Sequence, residues 1–212
     1  VFDIVMATEY GTTYNAYLVK GEKTALIETV HRRFFDAYLE NIRSVCDIST
    51  IDYLILNHCE PDHSGSVGEL LKLYPDITVV TSPGGTLNIK QITNMPDLKI
   101  KTVKEGDALD LGGGKVLSFT LVPFVHWPDT MFTYDAADRV VFTCDFLGAH
   151  YCEPLMLDTK IPYPEAYESA FKGYYDAIMG PFKPYVRAGL AKLEKLDFDF
   201  VGTSHGPILT KG

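Results

Sequence analysis

The chain has 212 residues, 46% of them hydrophobic and 22% charged, which is the composition of one ordinary folded domain. Its 28 acidic and 19 basic residues give a formal net charge of -9, and such a surface repels nucleic-acid phosphates. No apolar run has the length of a membrane span, no signal peptide is recognisable and the four cysteines form no CxxC pair, so we expect a cytoplasmic protein with reduced thiols.

The first half of the chain predicts strands that alternate with amphipathic helices. Two β-rich runs at residues 13–20 and 23–30, joined by Gly21-Glu22, predict a hairpin. Apolar residues at helical spacing predict a helix over residues 34–45. The elements that follow are a buried strand at 51–56, a polar loop at 58–66, a helix at 67–73, a strand at 77–81 and a short helix from the 82–85 turn towards 92.

The second half is richer in predicted strands, which lie at residues 98–103, 115–123, 131–134 and 139–143. Three consecutive glycines at 112–114 predict a turn rather than a phosphate-binding loop, because no strand–loop–helix context follows them. Helical spacing returns at residues 164–179 and 183–196, and a last strand is predicted at 198–202. Alternating strands and helices without a repeat or a linker indicate one layered α/β domain over residues 1–212.

Four side chains that commonly bind metals lie within six residues, directly after the buried strand at 51–56. They are His58, Glu60, Asp62 and His63, and Pro61 restricts the shape of their loop. The end of a strand is where an open α/β sheet presents a binding site. A solvated polar loop is the alternative, but two of only six histidines lie here, so we predict metal ligands.

Three further candidates, His126, Asp145 and His205, each follow another predicted strand. A single histidine or aspartate in a loop is more often a cap or a hydrogen-bond partner. Four separate strand ends that all supply imidazoles or carboxylates form a much stronger pattern. Together they offer four imidazoles and three carboxylates, close to what two metal ions need if each keeps an open position.

These motifs resemble the metallo-β-lactamase-like superfamily and, within it, the diiron domain of flavodiiron proteins. The resemblance implies an αββα sandwich. Glu60 makes the resemblance to flavodiiron proteins specific, because the zinc hydrolases of the superfamily usually carry histidine at this position. The matching stretches cover nearly the whole chain: GTTYNAYLV at 11–19, NHCEPDHSGS at 57–66, HWPDTMFTY at 126–134, FTCDFLGAHYC at 142–152 and SHGPI at 204–208.

The resemblance also implies how the ligands divide between two iron ions, with Asp145 as the bridge. Glu60 adds a hard anionic oxygen, which favours iron, although zinc can substitute in such a site. Three further residues, Tyr14, Trp127 and His150, are expected beside the ligands, and Tyr134 is a weaker candidate. The two ligand sets are His58, Glu60 and His126 for one ion, and Asp62, His63 and His205 for the other.

The function implied is reduction of dioxygen, nitric oxide or both by a diiron centre. Electrons would come from FMN on a flavodoxin-like domain or a separate chain, with rubredoxin or a similar redox partner, and a homodimer is expected. No flavodoxin-like motif follows the last ligand, so we expect the chain to be part of a longer flavoprotein. A dizinc hydrolase is the alternative function, which Glu60 disfavours. A non-catalytic domain is disfavoured by the complete set of seven ligands.

Overall fold

A computed structural model describes residues 8–211. The first of its two sheets has five strands in the order β1-β2-β3-β4-β5. The pair β1–β2 is an antiparallel hairpin, and the remaining pairs are parallel, so their connections cross over through helices. The strands are β1 (Tyr17–Lys20), β2 (Thr24–Ile27), β3 (Ile51–Leu56), β4 (Thr78–Thr81) and β5 (Ile100–Thr102), and the helices are α1 (Phe35–Val45), α2 (Pro61–Ser64), α3 (Val67–Leu73) and α4 (Pro83–Thr93).

The second sheet has six strands in the order β11-β10-β9-β8-β7-β6, and its only parallel pair within residues 8–211 is β9–β10. The crossover between β9 and β10 carries two helices, which cover the outer face of this sheet. Among the described residues, no helix is both long and apolar enough to cross a bilayer. The elements are β6 (Ala108–Gly112), β7 (Lys115–Leu121), β8 (Met131–Asp135), β9 (Val140–Cys144), α5 (Pro164–Tyr174), α6 (Lys183–Leu193), β10 (Phe200–Thr203) and β11 (Leu209–Thr210).

Three apolar clusters hold four layers together. The alternation of side chains along β3 shows the arrangement: Leu54 and Leu56 pack with the helices of the first half, whereas Ile55 packs with residues of both sheets. A third cluster joins the second sheet to α5 and α6, with Phe132 from β8 and Val186 from α6 among its members. The predicted αββα sandwich of the metallo-β-lactamase-like fold is therefore confirmed.

The structure corrects several predicted elements. Residues 58–66 are not a continuous loop, because Pro61 starts the short helix α2, where a proline fits the first helical position. The helix predicted towards residue 92 begins earlier, at Pro83, because Ser82 caps it by accepting a hydrogen bond from the Gly85 N–H. The helix predicted over 164–179 stays α-helical to Tyr174 and then continues as a π-helical turn, Tyr175–Met179.

Two strands were missed altogether. Strand β6 buries only Leu109 and Leu111 between exposed neighbours, too short an alternation to stand out from a polar stretch. Strand β11 is two residues long and pairs with β10. The three glycines predicted as a turn do join β6 to β7, with positive φ at Gly112, Gly113 and Gly114.

Candidate metal centre

The seven side chains predicted as metal ligands come together at one end of both sheets. Each follows a strand or a short segment that continues it: β3 leads to the cluster around α2, β7 to His126, β9 to Asp145 and β10 to His205. Their imidazole and carboxylate atoms form two compact groups. The members are His58, Glu60, His126 and Asp145 in one group, and Asp62, His63 and His205 in the other.

The first group surrounds the Oδ2 atom of Asp145. His58 Nε2 lies 3.5 Å and His126 Nε2 lies 3.2 Å from this oxygen. Glu60 Oε2 lies 3.2 Å from His58 Nε2 and 3.1 Å from His126 Nε2. Four ligand atoms, two from imidazoles and two from carboxylates, therefore face one small space.

The second group surrounds the Oδ1 atom of the same carboxylate. His63 Nε2 lies 2.9 Å and His205 Nε2 lies 3.4 Å from Asp145 Oδ1. Asp62 Oδ2 lies 3.3 Å from His63 Nε2 and 3.0 Å from His205 Nε2. Asp145 thus lies between the two groups and presents one oxygen to each.

These separations fit two metal ions. Ligand atoms about 2.1 Å from one ion, at angles of about 90° to 110°, lie roughly 3.0 to 3.4 Å apart. His63 Nε2 and Asp145 Oδ1 are close, yet within residues 8–211 neither atom makes a hydrogen bond, nor does Asp62 Oδ1. Buried polar atoms that lie together without hydrogen bonds need an ion or another partner. The mixture of imidazole and carboxylate donors suits iron.

Asp129 fixes the orientation of the His58 ring. Its Oδ1 lies 3.3 Å from His58 Nδ1, and its Oδ2 accepts a hydrogen bond of 2.9 Å from the Cys59 N–H. When Nδ1 carries the proton towards Asp129, Nε2 is left with its lone pair facing the first group. Asp129 was not predictable from the sequence, although it lies three residues after His126, because a loop aspartate alone gives no signal of this role.

Replacing Asp129 by asparagine should weaken metal binding while leaving the fold intact. Asparagine offers one acceptor to two donors, so its NH2 group faces either the Cys59 N–H or His58 Nδ1, and the His58 ring is held less firmly. Removing such a partner typically costs about 10- to 100-fold in metal affinity, which competition with a chromogenic chelator measures. Ser82→Ala is the control, because Ser82 Oγ donates to the Asp129 backbone carbonyl and not to the carboxylate. Equal affinity in wild type and Asp129→Asn would contradict the assignment.

His205 is oriented by the segment that precedes β1. Its Nδ1 donates to the Thr13 carbonyl at 2.6 Å, and the Gly206 N–H donates to Thr13 Oγ1 at 2.8 Å. Asn15 Nδ2 donates to the carbonyls of Thr203 and Gly206. The GTTYN stretch therefore holds the His205 loop on both sides. The spacing of motifs along the sequence did not reveal this role.

Glu28 is a buried carboxylate that the sequence analysis also missed. Its Oε1 accepts a hydrogen bond of 2.9 Å from the N–H of Asn57, the residue before His58. The Asn57 side chain in turn accepts from Thr133 Oγ1, in the opposite sheet. Burial is the main cause that raises the pKa of Glu28, to about 7. Glu28 and Asn57 together fix the start of the ligand loop against both sheets.

The backbone beside the ligands adopts an uncommon conformation. Positive φ values of 63°, 65°, 53° and 67° occur at Glu28, Phe124, Cys144 and Leu147. A residue other than glycine held in such a conformation costs on the order of 1–3 kcal/mol, and such residues are most frequent at functional sites. All four lie at a strand end or in the loop that follows it, within two residues of a predicted ligand or at one of its supports, so the surrounding packing holds the ligand loops in place.

The residues expected beside the ligands lie there. The Tyr14 ring centroid is 5.6 Å from that of His205, the Trp127 centroid is 5.1 Å from that of His58, and the His150 centroid is 5.0 Å from that of His205. Whether they serve the reaction stays a prediction. Tyr134 does not line the site: its hydroxyl donates to the Asp197 carbonyl, and its ring packs with the outer core.

The carboxylates give the centre a strong preference for positive charge. Burial alone would lower the pKa of His58 and His63, yet the neighbouring carboxylates hold both well above the ordinary value. Burial would raise the pKa of Glu60, but hydrogen bonds from His126 and His58 bring it down to about 2. Metal ions that bind here must therefore displace protons from imidazoles.

Comparison with known proteins gives consistent relatives. The family model described as ODP family beta lactamase matches residues 12–206. The chain is 61% identical over 211 residues to the flavo-diiron protein FprA2 of Clostridium acetobutylicum, covering 100% of this chain and 53% of that protein. Rubredoxin oxygen:oxidoreductase from Desulfovibrio gigas superposes with a TM-score of 0.92 at 31% identity, over 97% of this chain and 51% of that one. The flavodiiron protein from Giardia intestinalis gives 0.91 at 26% identity, over 96% and 49%.

Proposed function

Because the chain belongs to the ODP beta lactamase family, we propose that it is the diiron domain of a flavodiiron protein and reduces dioxygen, nitric oxide or both. The chain spans about half the length of FprA2, so the activity proposed is that of a larger protein. One observation carries the proposal: Asp145 presents one oxygen to each of two ligand groups, which is the arrangement that a bridged pair of ions needs.

The seven ligands would hold two iron ions in the sets that the resemblance implies, with Asp145 as the bridge. The ions, when bound, supply open coordination positions and redox capacity for a diatomic gas. Asp129 and the Thr13 carbonyl keep two imidazoles in their binding orientation. The side chains of Glu60 and His126 are 18% and 13% exposed, whereas those of the other five ligands are almost fully buried, so the Glu60–His126 edge faces solvent.

That edge is where an electron donor can approach. We propose FMN, from a flavodoxin-like domain or a separate chain, as the immediate donor, with rubredoxin or a similar protein before it. The formal charge of -9 suits a donor with a basic face. A homodimer in which the flavin of one subunit faces the irons of the other belongs to the same proposal. The four unpaired cysteines suit the cytoplasm.

Metal content and gas consumption test the function. The full-length protein, loaded anaerobically with ferrous iron, should hold about two irons per chain, the number that such a centre takes. With a reduced flavin donor it should then consume dioxygen or nitric oxide, which a gas electrode records. Two zinc ions and hydrolysis of esters or thioesters, without gas consumption, would replace this proposal by the hydrolase alternative.

Glu60→His provides the sharper version of that test. The substitution removes one of three carboxylates and supplies a softer nitrogen, so the zinc-to-iron ratio retained from mixed metals should rise. Gas reduction should fall at least about tenfold, as expected when a metal's surroundings are altered. Glu40→His, on the exposed face of α1, is the matched control. An unchanged metal ratio in Glu60→His would show that this carboxylate does not select the metal.

A further inference from the structure

A small apolar chamber lies behind the metal centre, between the ligand loop after β9 and the helices of the second half. Its volume is about 150 Å³. Apart from tyrosine hydroxyls its lining is apolar, and the side chains that define it are Phe146, Leu147, Tyr174, Met179, Val186 and Leu190. An apolar cavity of this size, about 150 Å³ in a well-studied case, stays dry and binds xenon or benzene.

At its inner end the chamber is bordered by residues that lie next to two of the predicted ligands. Gly148 belongs to its wall, and a Cβ atom at this position would lie 3.0 Å from the Asp145 carbonyl oxygen and 3.3 Å from that of His205. The ring of Tyr174, also in the wall, lies 4.8 Å from the His150 ring and 6.0 Å from the His205 ring, measured between centroids. The wall of the chamber therefore touches the backbone of two ligands.

The opposite end reaches the surface. Leu190 on α6 is 37% exposed, whereas Met179 and Val186 behind it are buried. The π-helical turn Tyr175–Met179, which follows α5, borders this part of the chamber. Such turns bulge the helix and are frequent at functional sites. The chamber thus extends from the surface at Leu190 to Gly148 and Tyr174, which lie beside two of the predicted ligands.

One wall residue is placed at an energetic cost. Leu147 has a φ of 67°, a conformation that glycine adopts freely and that leucine adopts rarely. The cost is offset by packing, because the leucine side chain lines the chamber and completes its apolar surface.

We propose that this chamber binds the small apolar gas substrate and passes it to the metal centre, an inference that rests on the proposed function. Dioxygen and nitric oxide are small and nearly apolar, so they partition from water into an apolar pocket. A charged or hydrogen-bonding ligand would find almost no polar partner in the lining. The gas and the electrons would then approach the centre by different routes, which keeps the Glu60–His126 edge free for the donor.

Xenon pressurisation of crystals of the iron-loaded full-length protein tests the binding step. We expect a xenon atom between Phe146, Tyr174 and Val186 in the wild type and none in Val186→Phe, whose ring fills the chamber. Ala188→Phe, on the exposed side of the same helix, is the control and should bind xenon as the wild type does. Xenon in the chamber of Val186→Phe, or its absence from the chamber of the wild type, would overturn the proposal.

Kinetics test the passage. In Val186→Phe the KM for the gas should rise about tenfold with kcat and iron content unchanged, because a loss of binding alone raises KM. Leu190→Trp narrows the outer opening without entering the core, and its KM should rise too even if Val186→Phe fails to fold. If the wild type is active and Leu190→Trp has an unchanged KM for the gas, the passage is overturned while the proposed function stands. A wild type that reduces neither gas would overturn the proposed function, and the passage with it.

Discussion

Replacing Asp145 by asparagine is expected to reduce the metal content from two ions to at most one and to abolish most gas reduction. Asp145 approaches both ligand groups, with Oδ1 beside His63 and His205 and Oδ2 beside His58 and His126. Asparagine keeps the shape but presents an NH2 group to one set. Loss of a residue that only supports a ligand costs about 10- to 100-fold, so loss of the bridge should cost more than about 100-fold in kcat.

The matched control for this variant is Asp135→Asn. Asp135 is equally buried at the end of β8, but its partner is Lys115 and none of the seven ligands. The control is expected to lose some stability, yet it should keep both metals and the wild-type turnover per folded molecule. Metal analysis after gel filtration, combined with circular dichroism, separates the two effects. Two ions and full turnover in Asp145→Asn would show that the carboxylate does not bridge.

Removal of the metals should produce the second large effect, a fall in thermal stability. Without ions the three largely buried carboxylates are balanced only by protons on the imidazoles, and within residues 8–211 buried atoms such as Asp62 Oδ1 keep no hydrogen-bond partner. A metal present at about 1,000 times its dissociation constant adds about 4.1 kcal/mol to folding. In a chain of this size about 1 kcal/mol shifts Tm by about 2–4 °C, so one filled site should raise Tm by about 8–16 °C.

Differential scanning calorimetry of chelator-treated and reloaded protein measures this shift. Asp145→Asn should show a smaller rise than the wild type on reloading, because one group loses its bridging ligand. Glu40→His should show the full rise, since that side chain is exposed on α1. Identical Tm values for metal-free and metal-loaded wild type would contradict the assignment of these buried side chains as ligands.

The outline of the fold was predictable because its signals are local. The strand at Ile51–Leu56 and the helix at Val67–Leu73 lie where the apolar pattern indicates them. The resemblance to flavodiiron proteins, predicted from Glu60 and the surrounding motifs, is confirmed by the relatives. The missed strands β6 and β11 are held by pairing with β7 and β10. Neither strand has a strong apolar pattern of its own.

The candidate site likewise has parts that the sequence predicts and parts that it does not. Histidines and carboxylates at strand ends are visible in the sequence, and all seven lie together, although their role as ligands stays a prediction. Asp129, Glu28 and the Thr13 carbonyl were missed, because their role depends on which atoms face one another across the fold. Backbone groups and solitary buried acids carry no spacing pattern, so only coordinates can reveal them.

The distribution of the ligands between the two sheets sets the order in which the centre can be assembled. His58 to His63 are made together, but His205 follows β10, which inserts between β9 and β11. Ribosomes need roughly 7 to 30 s to add the intervening stretch at about 5–20 residues per second. A nascent chain therefore displays four of the seven predicted ligands before the bridge and the final imidazole exist. We therefore expect metal loading to be a late event, in which the metals available after the last strand docks decide which ions the proposed centre receives.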